Sequence, residues 1–100
     1  MPIFNRKKTD QRTTALVKKF DAIGDANRLK IIQVLSNNKE ICVSEVAEQV
    51  GITTAGVSQH MKVLENAGLV ERNRMGQKIC YTISKKDKDN RKMLDMVLGR

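Results

Sequence analysis

Aromatic residues are scarce in this chain, and so are cysteine and proline. Three of the 100 residues are aromatic, one is proline and two are cysteine. With so few rings, the core must be built from Leu, Ile, Val and Met, a composition that suits packed helices. Cys42 and Cys80 are too few for a disulfide framework and match no zinc-finger spacing, so we expect both to be reduced thiols.

Long apolar runs are also absent. No segment approaches the roughly 20 apolar residues that cross a bilayer, and the N-terminus lacks the apolar stretch of a signal peptide. We therefore expect no membrane partner and a cytoplasmic location. The length of 100 residues allows a single domain with one modest core.

Acidic residues are outnumbered by basic ones, and the imbalance is local. Of the formal net charge of +8, residues 1–20 carry +5, residues 21–67 carry −2 and residues 68–100 carry +5. Basic flanks of this kind attract polyanions, with nucleic acid the first candidate. Lysine-rich ends that only keep the chain in solution are the alternative explanation of the charge.

Apolar spacing and turn residues predict five helices and three short strands. Residues 1–10 show no helical period and are predicted to form a flexible basic tail, which leaves residues 11–100 as the folded domain. The helices are predicted at about 11–23, 26–37, 44–50, 54–67 and 85–98, and the strands at 41–43, 69–73 and 78–83. The predicted helix caps are Asp10, Asp25, Ser44, Thr53 and Ser84, and Gly24 is predicted to adopt a left-handed backbone.

The third and fourth predicted helices are joined by a tight turn at residues 51–53, which is typical of a helix-turn-helix motif. On the fourth helix the inward stripe consists of Val57, Met61 and Leu64. The opposite face is small and polar, and no acidic residue occurs between Glu48 and Glu65. A helix that enters a phosphate-lined groove requires such a carboxylate-free start.

This outer face supplies the predicted DNA contacts. Ser58 and Gln59 are the predicted base readers, because Gln can bond an adenine edge bidentately and a hydroxyl can donate or accept. The residues predicted to meet phosphates or to share this face are Thr53, Thr54, Ala55 and Lys62. His60 lies about 60° from the inward stripe, so it either packs at the margin of the core or contacts DNA.

A basic hairpin follows the fourth helix, and Gly76 supplies its turn. Its cations are Arg72, Arg74 and Lys78, which only Glu71 opposes. Such a hairpin can lie along a phosphate backbone or reach a minor groove, although an ordinary solvated hairpin has the same composition. Coupled to the preceding helices, it predicts a mainly α fold with a small β-hairpin, a winged helix-turn-helix in the order α1-α2-short β-α3-α4-β-β-α5.

Residues 25–84 closely resemble the ArsR/SmtB (arsenic-repressor) family of winged-helix repressors, and the most specific part is VSQHMKVLENAGLVERNRMGQKICY at residues 57–81. The resemblance implies a homodimer that places the fourth helix of each subunit in successive major grooves of double-stranded DNA, with Ser58, Gln59 and His60 at or near it. It also implies a dimer interface formed by the first and last helices. The apolar residues predicted for that interface are Leu16, Phe20, Met93, Leu94, Met96 and Val97. Closure of these residues within one subunit is the alternative.

Members of this family often sense a metal or a thiol oxidant, and here the sequence departs from the pattern. The family's thiolate site on the third helix uses a CxC pair, whereas this chain has Cys42-Val43-Ser44. The other common site uses Asp and His on the last helix, and residues 85–100 contain no His. We therefore expect no metal and no other cofactor, and the effector remains unidentified.

The two cysteines nevertheless permit a redox hypothesis. In winged-helix folds the strand before the third helix usually pairs with the second strand of the hairpin. Ile41 and Val43 would then point to the core, and Cys42 and Cys80 would be cross-strand neighbours on the opposite face. A Cα separation well beyond about 7 Å would exclude such a pair. Small apolar fillers are the alternative role for both residues.

The sequence therefore predicts a homodimeric, sequence-specific transcriptional repressor on an inverted-repeat operator, with thiol redox or another signal as its inducer. A winged-helix module that docks protein or RNA is the alternative. An enzyme with a Cys or His nucleophile has little support, because neither residue type has a plausible acid partner.

Overall fold

The computed structural model describes residues 10–100, so the predicted tail lies outside the described residues except for Asp10. Within this range the chain forms five helices and one three-stranded antiparallel sheet. The elements are α1 (Gln11–Ile23), α2 (Ala26–Ser36), β1 (Ile41–Cys42), α3 (Val43–Val50), α4 (Thr54–Asn66), β2 (Val70–Met75), β3 (Lys78–Ile83) and α5 (Lys88–Val97). The predicted winged helix-turn-helix is confirmed.

Carboxylate caps begin the first two helices, as predicted. Asp10 accepts a hydrogen bond from the Thr13 N–H at 2.6 Å, and Asp25 accepts from the Asn27 and Arg28 N–H groups at 2.9 and 3.1 Å. The backbone N–H of Thr13 holds the pKa of Asp10 below its ordinary value, and that of Arg28 does the same for Asp25. Both caps satisfy N–H groups that have no partner inside the helix.

Two other predicted caps are wrong. Helix α3 begins at Val43, with Cys42 at the capping position and its N–H donated to Glu45 Oε1 at 3.3 Å, so Ser44 lies inside the first turn. Helix α5 begins at Lys88, and Asp87 caps it by accepting from the Asn90 N–H at 2.8 Å.

Ser84 cannot cap α5 because it still belongs to the sheet region. Its N–H donates to the Leu69 carbonyl at 2.9 Å, directly after the last residue of β3. Gly24 also differs from the prediction, since its φ of −79° is an ordinary right-handed value.

The sheet has the strand order β1-β3-β2. Ile41 pairs with Tyr81 and Cys42 with Cys80, as the predicted pairing of these strands requires. On the other side of β3, Asn73 pairs with Cys80, so three strands share one row. A two-residue turn with Gly76 at a φ of 65° joins β2 to β3.

The core lies between α2, α3, α4 and the inner face of the sheet. The predicted inward stripe of α4 is confirmed, because Val57, Met61 and Leu64 are all fully buried. Residues that surround the stripe include Ile31, Leu35, Val46, Leu69 and Tyr81. Burial on several sides holds α4 in one orientation.

A polar cluster joins α1 to the far end of the chain, and the sequence did not indicate it. Lys19 is only 5% exposed. Its ammonium donates to Asn90 Oδ1 at 2.6 Å and to Asp87 Oδ2 at 2.9 Å. The Asn90 amide in turn donates to the carbonyls of Gly68 and Ser84 at 2.8 and 3.0 Å. Three other segments of the chain therefore meet at one side chain of α5, that of Asn90.

The predicted interface residues divide into two groups. Met93 and Leu94 lie in the subunit's own core, where Ile23, Ile32 and Ile83 line the same space. These two residues are therefore covered within one subunit, which was the alternative to a place in the dimer interface. Phe20 and Met96 are 53% and 60% exposed. Leu16 and Val97 are half-buried. Val17, which was not predicted, is 59% exposed beside Phe20 on α1.

Candidate nucleic-acid interface

The turn before α4 sets the angle at which this helix leaves α3. Gly51 ends α3 with a φ of 82°, a left-handed conformation that favours glycine, and its N–H donates to the Ala47 carbonyl at 2.8 Å. Thr53 then caps α4 by accepting the Gly56 N–H at 3.0 Å. A Cβ on Gly56 would lie 3.2 Å from that hydroxyl oxygen, so glycine allows the close approach.

The outer face of α4 is open to solvent along its length. The predicted contact residues Thr53, Thr54, Ala55, Ser58, Gln59 and Lys62 are all exposed. The first turn of α4 carries no acidic residue, and the positive end of the helix dipole lies there. A phosphate can therefore approach the start of α4 without meeting a carboxylate of this helix.

His60 lies at the margin between this outer face and the core. It is half-buried, and its Nδ1 lies 3.2 Å from Nη1 of Arg28 on α2. Arg28 also donates through Nε to the Ala22 carbonyl at 2.6 Å. Arg28 was not predicted as a partner of His60, because it lies 32 residues away along the chain.

The three basic residues of the hairpin occupy different places. Arg72 lies over the C-terminal part of α4, with Nε 3.9 Å from Glu65 Oε2. Arg74 and Lys78 lie close to the tip and are exposed, and Arg74 Nε donates to the Gly76 carbonyl at 3.2 Å. Met75, also at the tip, is 51% exposed and was not predicted. The cations nearest the tip are therefore Arg74 and Lys78.

Cys42 and Cys80 form a disulfide, with their Cα atoms 3.8 Å apart. Their predicted position as cross-strand neighbours is confirmed, and the expectation of reduced thiols is wrong for this structure. Cys80 is only 2% exposed, so it does not face solvent although it lies outside the main core. Asn73, its neighbour on β2, donates to Glu40 Oε2 at 2.9 Å, and Thr82 Oγ1 donates to the Lys39 carbonyl at 3.0 Å. The segment before α3 is thus attached to the hairpin at three points.

Within residues 10–100 no group of three or more His, Cys, Asp or Glu side chains is placed to hold a metal ion. None of the helices in the described part of the chain is both long and apolar enough to cross a membrane.

Known proteins match the same region. A family model described as "Bacterial regulatory protein, arsR family" matches residues 25–72, which run from the cap of α2 into β2. A cadmium resistance transcriptional regulatory protein CadC homolog from Staphylococcus aureus is 35% identical over 82 residues, which cover 79% of this chain and 68% of the relative. The chain belongs to the ArsR family.

Some of the relatives are longer than this chain. The HTH-type transcriptional regulator KmtR from Mycobacterium tuberculosis is 36% identical over 74 residues, which cover 74% of this chain and 56% of KmtR. The match to CadC from Listeria innocua covers 54% of that protein. The chain thus spans about half the length of these relatives.

Solved structures agree with the ArsR-type fold. HlyU from Vibrio cholerae superposes with a TM-score of 0.77 at 25% identity, covering 89% of this chain and 94% of HlyU. A homodimeric winged helix-turn-helix DNA-binding domain, Mb0332 from Mycobacterium bovis, has a TM-score of 0.77 at 22% identity, covering 95% of this chain and 88% of that domain. As an ArsR-family member the chain is a DNA-binding transcription regulator and not an enzyme.

Proposed function

We propose that this ArsR-family regulator is a homodimeric repressor that acts in the cytoplasm on an inverted-repeat operator. The observation that carries the proposal is the exposed outer face of α4, which has no carboxylate before Glu65 and is followed by cations near the hairpin tip. Ser58 and Gln59 read base edges, Thr54 and Lys62 contact phosphates, and the tip follows the adjacent backbone.

The dimer supplies the second reading helix. Val17, Phe20 and Met96 present large apolar side chains to solvent in one subunit, and a copy of this chain can cover them symmetrically. The structural neighbour Mb0332 is described as homodimeric, which supports this assignment. Two α4 helices related by a two-fold axis would lie about 34 Å apart, one turn of B-DNA.

Oxidation of the two cysteines is the proposed signal for release. Cytosolic thiols are kept reduced by default, and cytosolic disulfides are mainly redox-sensing or catalytic. The reduced dimer therefore binds the operator. A peroxide-class oxidant takes two electrons and two protons from Cys42 and Cys80, forms the disulfide and leaves as water. The bond then holds the start of α3 against β3 and changes the angle between the helix-turn-helix and the hairpin.

One neighbour with this fold is described in a reduced form, which supports redox as the signal. HlyU has also been solved in a form described as reduced, with a TM-score of 0.75 to this chain at 25% identity. The proposal includes no metal effector, because the family's CxC pair is incomplete at Ser44 and the last helix has no His.

Operator binding by the purified protein tests the function. An operator is first selected from a random duplex library, and its affinity is then measured across a salt series. For a dimer that contacts on the order of 6–10 phosphates, the logarithm of the binding constant falls linearly with the logarithm of the salt concentration. The slope of that line is about −0.9 per phosphate contact. A flat salt response, or equal affinity for unrelated duplexes, would contradict a sequence-specific repressor and favour a docking module.

The redox signal is tested on the same operator. Peroxide treatment should weaken binding by the wild type, and a dithiol should restore it. Cys42→Ser and Cys80→Ser should each bind as the reduced wild type does and ignore peroxide. Metals are added in parallel, and a response to metal in the double serine variant would show a different effector.

A further inference from the structure

Arg28 connects three helices through one guanidinium group. Its Nε donates to the Ala22 carbonyl near the end of α1 at 2.6 Å, and its Nη1 lies 3.2 Å from His60 Nδ1 on α4. Its backbone N–H is held by Asp25 at 3.1 Å. Arg28 is itself half-buried, so its side chain is directed at protein groups and not at the open face of α4.

The chemistry of this contact determines the state of the imidazole. A guanidinium group has only donors, so the His60 nitrogen that faces it must accept. Neutral imidazole accepts through one ring nitrogen and donates through the other. Since Nδ1 is the acceptor, the ring proton lies on Nε2. The only side-chain hydrogen bond of His60 within residues 10–100 is the one at Nδ1, and since no buried side-chain nitrogen in that range lacks a partner, Nε2 is in contact with solvent.

We propose that Arg28 is a positioning residue for DNA binding, which holds His60 as the Nε2–H tautomer so that Nε2 donates to a phosphate oxygen of the operator. His60 lies at the side of α4, between the buried stripe and the reading residues Ser58 and Gln59. The sides of a helix in a major groove face the two phosphate backbones, whereas its outer face meets the bases. The DNA step rests on the proposed function, and the tautomer does not.

An arginine suits this role better than a lysine. The planar guanidinium presents several donors in fixed directions, so one group reaches Ala22 and His60 together. A lysine ammonium keeps the charge but has no such fork. Arg28→Lys should therefore release the ring while leaving the net charge of the protein unchanged.

The first experiment measures the tautomer in the free protein. Long-range nitrogen–proton NMR correlations of His60, the sole histidine, distinguish a protonated Nε2 from a protonated Nδ1. We expect the Nε2–H form in the wild type and a mixture of both forms in Arg28→Lys. A wild type with the proton on Nδ1, or an unchanged tautomer in Arg28→Lys, would overturn the proposal without reference to DNA.

The second experiment is a double-mutant cycle on operator affinity. Arg28→Lys and His60→Ala should each weaken binding about tenfold per subunit, and therefore about a hundredfold for the dimer, because each subunit loses one charge-assisted hydrogen bond. In the His60→Ala background, Arg28→Lys should have no further effect, because it acts through the ring. Thermal unfolding of each variant shows whether the fold is retained, and Lys30→Arg, the reverse exchange at an exposed position on the same helix, is the matched control.

Equal losses from Arg28→Lys in both backgrounds would mean that Arg28 acts on the fold or on DNA directly, which overturns its role through His60. If the wild type selects no operator, the proposed function fails, and so does the DNA step of this proposal. The tautomer result would still report separately whether Arg28 orients the ring.

Discussion

Lys19 and its partners form the most unusual residue environment in the described chain. A lysine that is 5% exposed is rarely tolerated without a partner, and here the ammonium has two oxygen acceptors on α5 and its cap. Asn90, which is 1% exposed, uses its amide to bind two carbonyls as well. The cluster therefore satisfies every buried polar group it contains and holds α1 and α5 together.

Replacing Lys19 by Met should lower the free energy of unfolding by about 2 kcal/mol, because Asn90 Oδ1 loses its donor inside the protein. Urea unfolding followed by circular dichroism measures this value. Lys18→Met is the matched control, since Lys18 is the exposed neighbour on the same helix. Similar stability of the two variants would contradict a structural role for the Lys19 cluster.

Acid should weaken the same cluster. The Lys19 ammonium, followed by the Asn90 N–H, holds the pKa of Asp87 below its ordinary value of 3.8. The resulting stabilisation is fully present above the pKa of the unfolded carboxyl, near pH 4, and is lost as the pH falls through the lower folded pKa. Urea unfolding between about pH 5 and pH 2 should show this decrease, and Asp87→Asn should reduce its slope. Asp10 and Asp25 contribute with the same sign, so part of the slope should persist.

Gln59 should contribute to sequence preference. Gln59→Ala is expected to cost about 1–3 kcal/mol of binding to the selected operator, with little change in binding to unrelated duplexes. Lys62→Ala should instead weaken binding to all sequences and reduce the salt slope by about 1 per subunit. Gln33→Ala, at an exposed position on α2, serves as the control. If Gln59→Ala weakened binding to all duplexes equally, Gln59 would not be a base reader.

At the scale of elements, the hairpin formed by β2 and β3 carries positive charge at two separate places. One is its tip and the other is the end of the hairpin that adjoins the core. Arg72 pairs with Tyr81 in the sheet and lies near Glu65, whereas Arg74 pairs with Ile79, two residues closer to the turn. Burial raises the pKa of Tyr81 above its ordinary value of 10.0, so this ring stays neutral beside Arg72 at physiological pH. The base of the hairpin belongs to the core, and only its tip projects from the domain.

Charge removal at these two places should have different effects. Arg74→Ala should weaken binding to all duplexes and reduce the salt slope by about 1 per subunit, because it removes a phosphate contact. Arg72→Ala should change the slope much less, since its guanidinium lies near Glu65. Salt titrations by fluorescence anisotropy compare the two. Equal slopes in both variants would indicate that the hairpin contacts DNA along its whole length.

At the scale of the whole molecule, the exposed apolar residues of α1 and α5 indicate where two subunits meet. Phe20→Asp should convert the dimer to monomers, because a carboxylate buried against apolar residues of a partner has no cation to pair with. Analytical ultracentrifugation measures the change, and operator affinity should fall with it. Gln33→Asp is the control, because it adds a carboxylate at an exposed position on α2, away from α1 and α4. A monomeric wild type, or a Phe20→Asp dimer, would contradict this interface.

Much of the DNA-facing unit could be predicted from local patterns. The stripe of α4 repeats every three or four residues, and the polar outer face follows from the same period. The pairing of β1 with β3 was predicted from winged-helix folds in general, and the resemblance to the ArsR family added the predicted homodimer. Spacing alone contains neither. Ser44 and Ser84 were wrong as caps, because any hydroxyl before an apolar run fits that pattern. The extent of β3, and not the residue type, decided where α5 begins.

The amino-acid sequence by itself determined the helix-turn-helix, its acid-free outer face and the basic hairpin, because these depend on residues a few positions apart. The tertiary structure alone decided which residues lose contact with water and which polar groups meet. Lys19 and Asp87 are 68 residues apart, and Arg28 and His60 are 32 apart. Cys42 and Cys80, which are 38 residues apart, could be paired in advance only through the strand order typical of winged-helix folds. The other two pairs depend on how α1 meets α5 and how α2 meets α4, and no local period records that packing.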